Sequence, residues 1–160
     1  IAVKDPSNKE AREKMSLAAN LGGMAITASG CSIGHSFAQT FGAVNHIPHG
    51  LGCAWGLPGV MVYSAKYGNR SDLEIVADAL GVSYTDKTDT MDLANEMAQI
   101  FVDFMREIRI KSIKSLGYSL EDCLAVTERF FHDGAFANSP GTPGVPEIQE
   151  FIKYTYHIYQ

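Results

Sequence analysis

A strong helical periodicity between residues 93 and 108 is the feature that most limits what this chain can fold into. Apolar side chains recur there at almost every third or fourth position: Leu93, Met97, Ile100, Phe101, Phe104 and Ile108. This spacing places them on one face of an α-helix, which must pack against other elements. Strand patterns are nearly absent from the rest of the chain. The sequence therefore predicts an all-α helical bundle that forms a single domain over residues 1–160, without an internal repeat.

Turn and capping signals divide the rest of the chain into further helices. The predicted helices cover residues 5–29, 31–44, 49–67, 71–81, 93–108, 119–132 and 146–157. Two S-x-x-E capping boxes, beginning at Ser7 and Ser71, mark the starts of the first and fourth helices. Pro58 lies inside the third helix and is expected to kink or split it. The first helix loses its charged residues towards its C-terminal half, which we therefore expect to be buried.

The composition excludes several classes of function. The chain is 46% apolar and 19% charged with a net charge of -5, and its Lys and Arg residues are scattered singly. A globular protein with no nucleic-acid partner is therefore expected. Neither a run of 18 apolar residues nor a signal peptide is visible, so no membrane partner is predicted. Cys31, Cys53 and Cys123 show no C-x-x-C spacing, which favours reduced thiols in a cytoplasmic protein, and they receive no functional assignment.

Candidate chemistry concentrates between residues 31 and 58, where three of the five histidines lie. His35 and Gln39 are four residues apart and share one face of the second helix. A turn at residues 45–48 reverses the chain and should bring His49 towards that face. Two imidazoles from adjacent antiparallel helices can bind one divalent metal. Hydrogen-bonded core histidines are the alternative, because two neutral imidazoles with no nearby carboxylate make a weak metal site.

The stretch from Gly34 to Pro58, GHSFAQTFGAVNHIPHGLGCAWGLP, resembles the C-terminal helical domain of the iron-containing (group III) alcohol dehydrogenases. That architecture is shared with the dehydroquinate synthases. The resemblance extends to the segments around Tyr67-Gly68, Ala79–Gly81 and Asn138–Pro140, so it covers nearly the whole chain.

The resemblance implies a metal site and a nicotinamide cofactor. The family binds one divalent metal, usually Fe²⁺ and sometimes Zn²⁺, through an Asp and three His, and uses NAD(P). By resemblance, His35 and His49 are two of these ligands. Gln39 falls near the nicotinamide ring, where the family usually has a histidine, and is the expected cofactor contact. His46 is not expected to bind the metal, and no residue is assigned a catalytic role. The remaining ligands, the first helices of this domain and an N-terminal nucleotide-binding domain are expected upstream of Ile1.

The expected function is that of the metal-binding helical domain of an NAD(P)-dependent dehydrogenase for a small alcohol or aldehyde. We expect the chain to be inactive by itself and to bind metal weakly. Two alternatives remain open. One is a domain of the glycerol dehydrogenase or dehydroquinate synthase type. The other is a non-catalytic helical fragment whose apolar surface promotes self-association into a homo-oligomer.

Overall fold

A computed structural model describes residues 1–160 and contains only helices and their connections. The α-helices are α1 (Lys9–Ser29), α2 (Ile33–Asn45), α3 (His49–Tyr67), α4 (Arg70–Leu80), α5 (Thr90–Glu107), α6 (Leu120–Leu124) and α7 (Val145–Ile158). Three short 3₁₀ helices follow α5 and α6, at Lys114–Leu116, Thr127–His132 and Phe136–Asn138. The absence of strands confirms the all-α prediction. None of the helices combines the length and the hydropathy that a membrane-spanning segment needs.

Two compact units make up the chain, Ile1–Cys31 and Ser32–Gln160. The first unit contains α1, and none of the residues of α1 is buried. The expectation that its C-terminal half is buried is therefore wrong, because a single helix has no second element within its own unit to pack against. The capping box at Ser7 is also wrong. Asn8 is the N-cap, and its side chain accepts from the Ala11 N–H at 3.0 Å.

Helix boundaries in the second unit follow the sequence signals with two exceptions. Ser71 does not cap α4, which begins at Arg70 after Asn69. Glu74 instead pairs with Arg70 one turn earlier, at 2.7 Å. The predicted helix over 119–132 opens with a capping box at Ser119, but α6 ends at Leu124 and a 3₁₀ helix follows.

The core of the second unit forms where α3 packs against α2, α5 and α7. Its largest fully buried side chains are Trp55, Phe37, Phe41 and Phe130. The apolar stripe of α5 packs inward at Leu93 and Met97 as predicted and continues through Val102 and Met105. Phe104 is exposed instead, because it points away from the helix face that α3 and α4 cover.

Close backbone packing joins α2 and α3. A Cβ added at Gly56 would lie 2.9 Å from the carbonyl oxygen of Gly34, and one at Gly52 would lie 2.9 Å from Cα of Ala38. Pro58 is buried within α3, which runs unbroken from His49 to Tyr67. Of the two outcomes predicted for Pro58, a split of the helix is wrong. Close contacts at Gly56 and Gly59, on either side of the proline, hold α3 against its neighbours.

Candidate metal centre

The turn between α2 and α3 places the candidate residues. His46 ends α2 in a left-handed conformation, with φ 54° and ψ 35°, and the Ile47 N–H then bonds to the Gly42 carbonyl at 2.9 Å. Pro48 is the extended N-cap of α3, so His49 is the first residue of that helix. This reversal agrees with the turn predicted at residues 45–48. It lays the start of α3 beside α2.

His35 and His49 lie opposite each other across the helix pair. Their Nε2 atoms are 3.1 Å apart, and their rings meet edge to face with centroids separated by 4.5 Å. Two nitrogen ligands at roughly 2.0–2.1 Å from a tetrahedral zinc ion are about 3.3 Å apart. The two side chains therefore already stand at the separation that a shared metal requires. Their role as ligands stays a prediction.

Cys53 completes a cluster of three ligand-type side chains, and the sequence analysis did not identify it. Its Sγ is 3.5 Å from His49 Nε2 and 3.6 Å from His35 Nδ1. The three ligand atoms all lie within 4.8 Å of one another. The signal that would have found Cys53 is its position four residues after His49, one turn along the same helix face.

The environment of His35 favours its neutral form. Partial burial, and then the neighbouring His49, lower the pKa of His35 below its ordinary value of 6.5, while the Asp133 carboxylate opposes this shift. A histidine binds a metal through the lone pair of a neutral ring. His35 therefore needs no change of protonation state at neutral pH to act as a ligand.

Asp133 is a second residue that sequence analysis missed, and it holds the α2 side of the site. Its Oδ1 accepts from Ser36 Oγ at 2.7 Å and from the Ala135 N–H at 3.0 Å. With the Gln39 amide in the orientation that satisfies its hydrogen bonds, its nitrogen donates to the same oxygen at 2.9 Å. The predicted cofactor contact Gln39 is thus an exposed side chain fixed by a carboxylate.

An open cleft of about 540 Å³ lies next to the histidine pair. Gln39, Gly42, His46, Ile47 and His49 are among the residues that line it. His46 faces this cleft from the exposed turn but does not belong to the three-residue cluster. The cleft walls are mostly small and apolar, which suits a small neutral molecule.

Known proteins are similar to this chain in sequence and in fold. Residues 1–156 match the model of the Fe-containing alcohol dehydrogenase family, C-terminal. The 1,3-propanediol dehydrogenase of Citrobacter freundii is 29% identical over 97% of this chain and 40% of its own length. The NADPH-dependent butanol dehydrogenase of Clostridium saccharobutylicum is 28% identical over 94% of this chain and 39% of its own.

Two solved structures superpose on most of the chain. A crystal structure of 1,3-propanediol oxidoreductase has a TM-score of 0.84 at 26% identity, and an alcohol dehydrogenase from Oenococcus oeni has a TM-score of 0.86 at 28% identity. Each comparison covers 97% of this chain and 40% of the solved one. The chain thus spans about two fifths of the length of these relatives. It belongs to the Fe-containing alcohol dehydrogenase family, as the C-terminal domain of such an enzyme.

Proposed function

We propose that this chain is the metal-binding part of an NAD(P)-dependent dehydrogenase that interconverts a small alcohol with its aldehyde or ketone. The observation that carries the proposal is the 3.1 Å separation between the Nε2 atoms of His35 and His49. In the proposal these two residues bind one divalent metal, Fe²⁺ or Zn²⁺. The family match and the alcohol dehydrogenases among its relatives support this assignment.

The donor set fits a metal that acts as a Lewis acid. When bound, the metal would polarise the oxygen of the alcohol or carbonyl while hydride moves to or from NAD(P). His35 and His49 contribute neutral nitrogens, so they leave the positive charge of the metal available to the substrate oxygen. The proposal assigns the remaining ligands and the nucleotide-binding domain to the part of its relatives that this chain does not span.

Gln39 stands where the family usually has a histidine. The proposal gives it a role that does not require a titrating side chain. An amide donates and accepts hydrogen bonds but carries no proton at neutral pH. Its hydrogen bond to Asp133 holds the side chain beside the histidine pair at the edge of the cleft. We propose that Gln39 contacts the nicotinamide end of the cofactor. We also propose that no proton passes through it.

The proposed substrate is small and uncharged. Ala38, Gly42, Ala43 and Ile47 give the cleft an aliphatic wall, and no Lys or Arg lies along it. A phosphorylated substrate would need such a cation or a comparable set of anion-binding donors. Two relatives named for 1,3-propanediol and butanol support this choice. A glycerol dehydrogenase or dehydroquinate synthase activity is the second candidate, which a substrate panel would separate from the first.

Activity is proposed for the complete gene product and not for the 160 residues alone, where the two histidines make an incomplete site.

Self-association of the chain is also proposed and is testable by gel filtration. A cytoplasmic location is supported by the absence of any disulfide among the three cysteines.

The direct test is NAD(H)- and NADP(H)-coupled oxidation by the complete gene product reconstituted with Fe²⁺ or Zn²⁺. Substrates should include 1,3-propanediol, butanol, glycerol and a phosphorylated alcohol. We expect His35→Ala and His49→Ala each to lower activity by at least about 10-fold, the loss typical of disturbing a metal site. His157→Ala, at an exposed histidine of α7 that does not line the cleft, is the matched control and should keep wild-type activity. Full activity in both of the first two variants would refute the ligand assignment.

A further inference from the structure

We propose that Asp133 is a positioning residue for the cofactor. It turns the Gln39 amide so that the carbonyl oxygen of Gln39 accepts a hydrogen bond from the carboxamide N–H of the nicotinamide. The inference rests on the proposed function and defines how Gln39 meets the cofactor. It concerns which end of the amide faces the cleft, because a glutamine side chain can both donate and accept hydrogen bonds.

The carboxylate of Asp133 is fixed by two donors besides Gln39. Ser36, a fully buried residue of α2, donates from its Oγ to Asp133 Oδ1 at 2.7 Å. The Ala135 N–H donates to the same oxygen at 3.0 Å. These bonds join α2 to the segment that follows the 3₁₀ helix at Thr127–His132, so the carboxylate keeps one orientation.

The negative charge of Asp133 decides which way the Gln39 amide turns. The amide nitrogen donates to Asp133 Oδ1 at 2.9 Å and also contacts Oδ2. In the opposite orientation the carbonyl oxygen of Gln39 would face two carboxylate oxygens with no hydrogen between them, and the like partial charges would repel. The nitrogen is therefore held at Asp133, and Oε1 lies on the other side of the amide.

The carbonyl oxygen is the end of the Gln39 amide that remains for a ligand. Gln39 is exposed and lines the open cleft beside His49. An acceptor at this position needs a donor on the ligand. The nicotinamide carboxamide carries such an N–H, at the end of the cofactor that the proposed function brings to Gln39. The clamp on the amide therefore selects a ligand that can donate.

A purely structural role for Asp133 is the alternative. Its bonds to Ser36 and Ala135 would stabilise the fold whatever Gln39 binds. The two roles differ in one measurable property, because only the positioning role makes binding depend on an N–H of the ligand. A comparison of two ligands within each variant separates the roles, since a loss of stability affects both ligands alike.

Binding of NADH and of its 3-acetylpyridine analogue is the first test. The analogue has a methyl group in place of the carboxamide NH₂ and keeps the carbonyl. In calorimetric titration of the complete gene product loaded with Zn²⁺, we expect the wild type to bind NADH about 5–10-fold more tightly than the reduced analogue, which is the effect of one hydrogen bond. The corresponding NADPH pair is used if the protein prefers NADPH.

Asp133→Asn should abolish this preference. The new side-chain amide donates to Gln39 Oε1, so the Gln39 amide turns round and its nitrogen faces the carbonyl that both ligands share. The ratio of the two affinities should then fall to about 1. Asp103→Asn is the matched control and should keep the wild-type ratio, because its ion pair with Arg106 is exposed and neither residue lines the cleft.

Each outcome of this titration has a distinct meaning. A wild-type ratio in Asp133→Asn would overturn the positioning role. Equal affinities for the two ligands in the wild type would overturn the acceptor contact of Gln39. If the wild type bound neither dinucleotide, the proposed cofactor would fail together with the inference. Failure of the inference and failure of the proposed function are therefore distinguishable.

Exchange of the two side chains is the second test, and its readout is rescue. Gln39→Glu places a second carboxylate against Asp133 and should weaken NADH binding by about 10-fold or more, because the like charges repel. Adding Asp133→Asn restores a donor opposite the carboxylate, which still offers an oxygen to the carboxamide. We expect the double variant to bind NADH within about 3-fold of the wild type. A double variant that binds no better than Gln39→Glu would contradict the proposal.

Discussion

Gly56 of α3 lies against the backbone of Gly34 in α2, and a Cβ at position 56 would be 2.9 Å from the Gly34 carbonyl oxygen. His35 directly follows Gly34, so the same close approach carries its imidazole towards α3. The distance between His35 and His49 thus depends on a backbone contact that only glycine allows. The candidate metal centre is held together by helix packing as well as by its own side chains.

Gly56→Ala should therefore damage both the fold and the site. The added methyl group meets backbone atoms, which cannot move aside as a flexible side chain can, so α2 and α3 must separate. We expect a loss of about 1–3 kcal/mol in the free energy of unfolding and weaker zinc binding. Denaturant unfolding and calorimetric titration measure the two effects. Gly50→Ala is the control in the same helix, since its Cβ would meet nothing within 4 Å.

Gly59→Ala should separate stability from metal binding. A Cβ at Gly59 would lie 2.5 Å from Thr155 Oγ1 and 2.8 Å from Phe151 Cε2, both on α7. We expect a similar loss of about 1–3 kcal/mol of stability. Zinc affinity of the folded protein should stay at the wild-type level, because the α2–α3 contact is untouched. A Gly59→Ala protein that binds zinc as poorly as Gly56→Ala would argue against a specific role for the Gly34–Gly56 contact.

Asp133→Asn should lower the stability of the protein, because Asp133 anchors the α2 side of the site. The variant keeps the side-chain volume but replaces one acceptor oxygen with an amide donor, so Ser36 and Gln39 lose a charged acceptor. Hydrogen bonds to charged groups contribute about 1.5–3 kcal/mol to stability. We expect the free energy of unfolding to fall by an amount at the lower end of this range, because Asp133 is only half-buried. Asp103→Asn is the matched control, since its ion pair with Arg106 is exposed. Equal melting temperatures for the two variants would contradict the anchoring role of Asp133.

Alkaline pH should destabilise the protein through Tyr63. Burial raises the pKa of this phenol from 10.0 to about 12, and its hydroxyl donates to the Pro140 carbonyl at 2.7 Å. The unfolded chain loses the proton near pH 10 and the folded protein only near 12. The stabilising contribution is therefore complete below pH 10 and is lost as the pH rises towards about 12. Tyr63→Phe should show a shallower decline in unfolding free energy over this interval. An unchanged slope would exclude Tyr63 as a source of the alkaline sensitivity.

Local signals in the sequence were sufficient for much of this structure. The period of the α5 stripe predicted a helix, and Pro48 after the polar turn predicted the hairpin that brings His35 and His49 together. The N-caps of α1 and α4 were predicted at Ser7 and Ser71 and lie instead at Asn8 and Asn69. Asparagine and serine are similarly favoured at this position, so the sequence alone does not choose between them. Cys53 was missed since a thiol in an apolar helix resembles a core residue. Asp133 had no local signal, because its partner Ser36 lies 97 residues away in the chain.

Zinc affinity of the complete gene product tests the central claim most directly. Calorimetric titration of the metal-free wild type should show one site per chain. His35→Ala and His49→Ala should each weaken that site by at least about 10-fold. His46→Ala, which alters the exposed histidine of the same turn, should bind as the wild type does. Wild-type zinc affinity in both His35→Ala and His49→Ala would contradict the account.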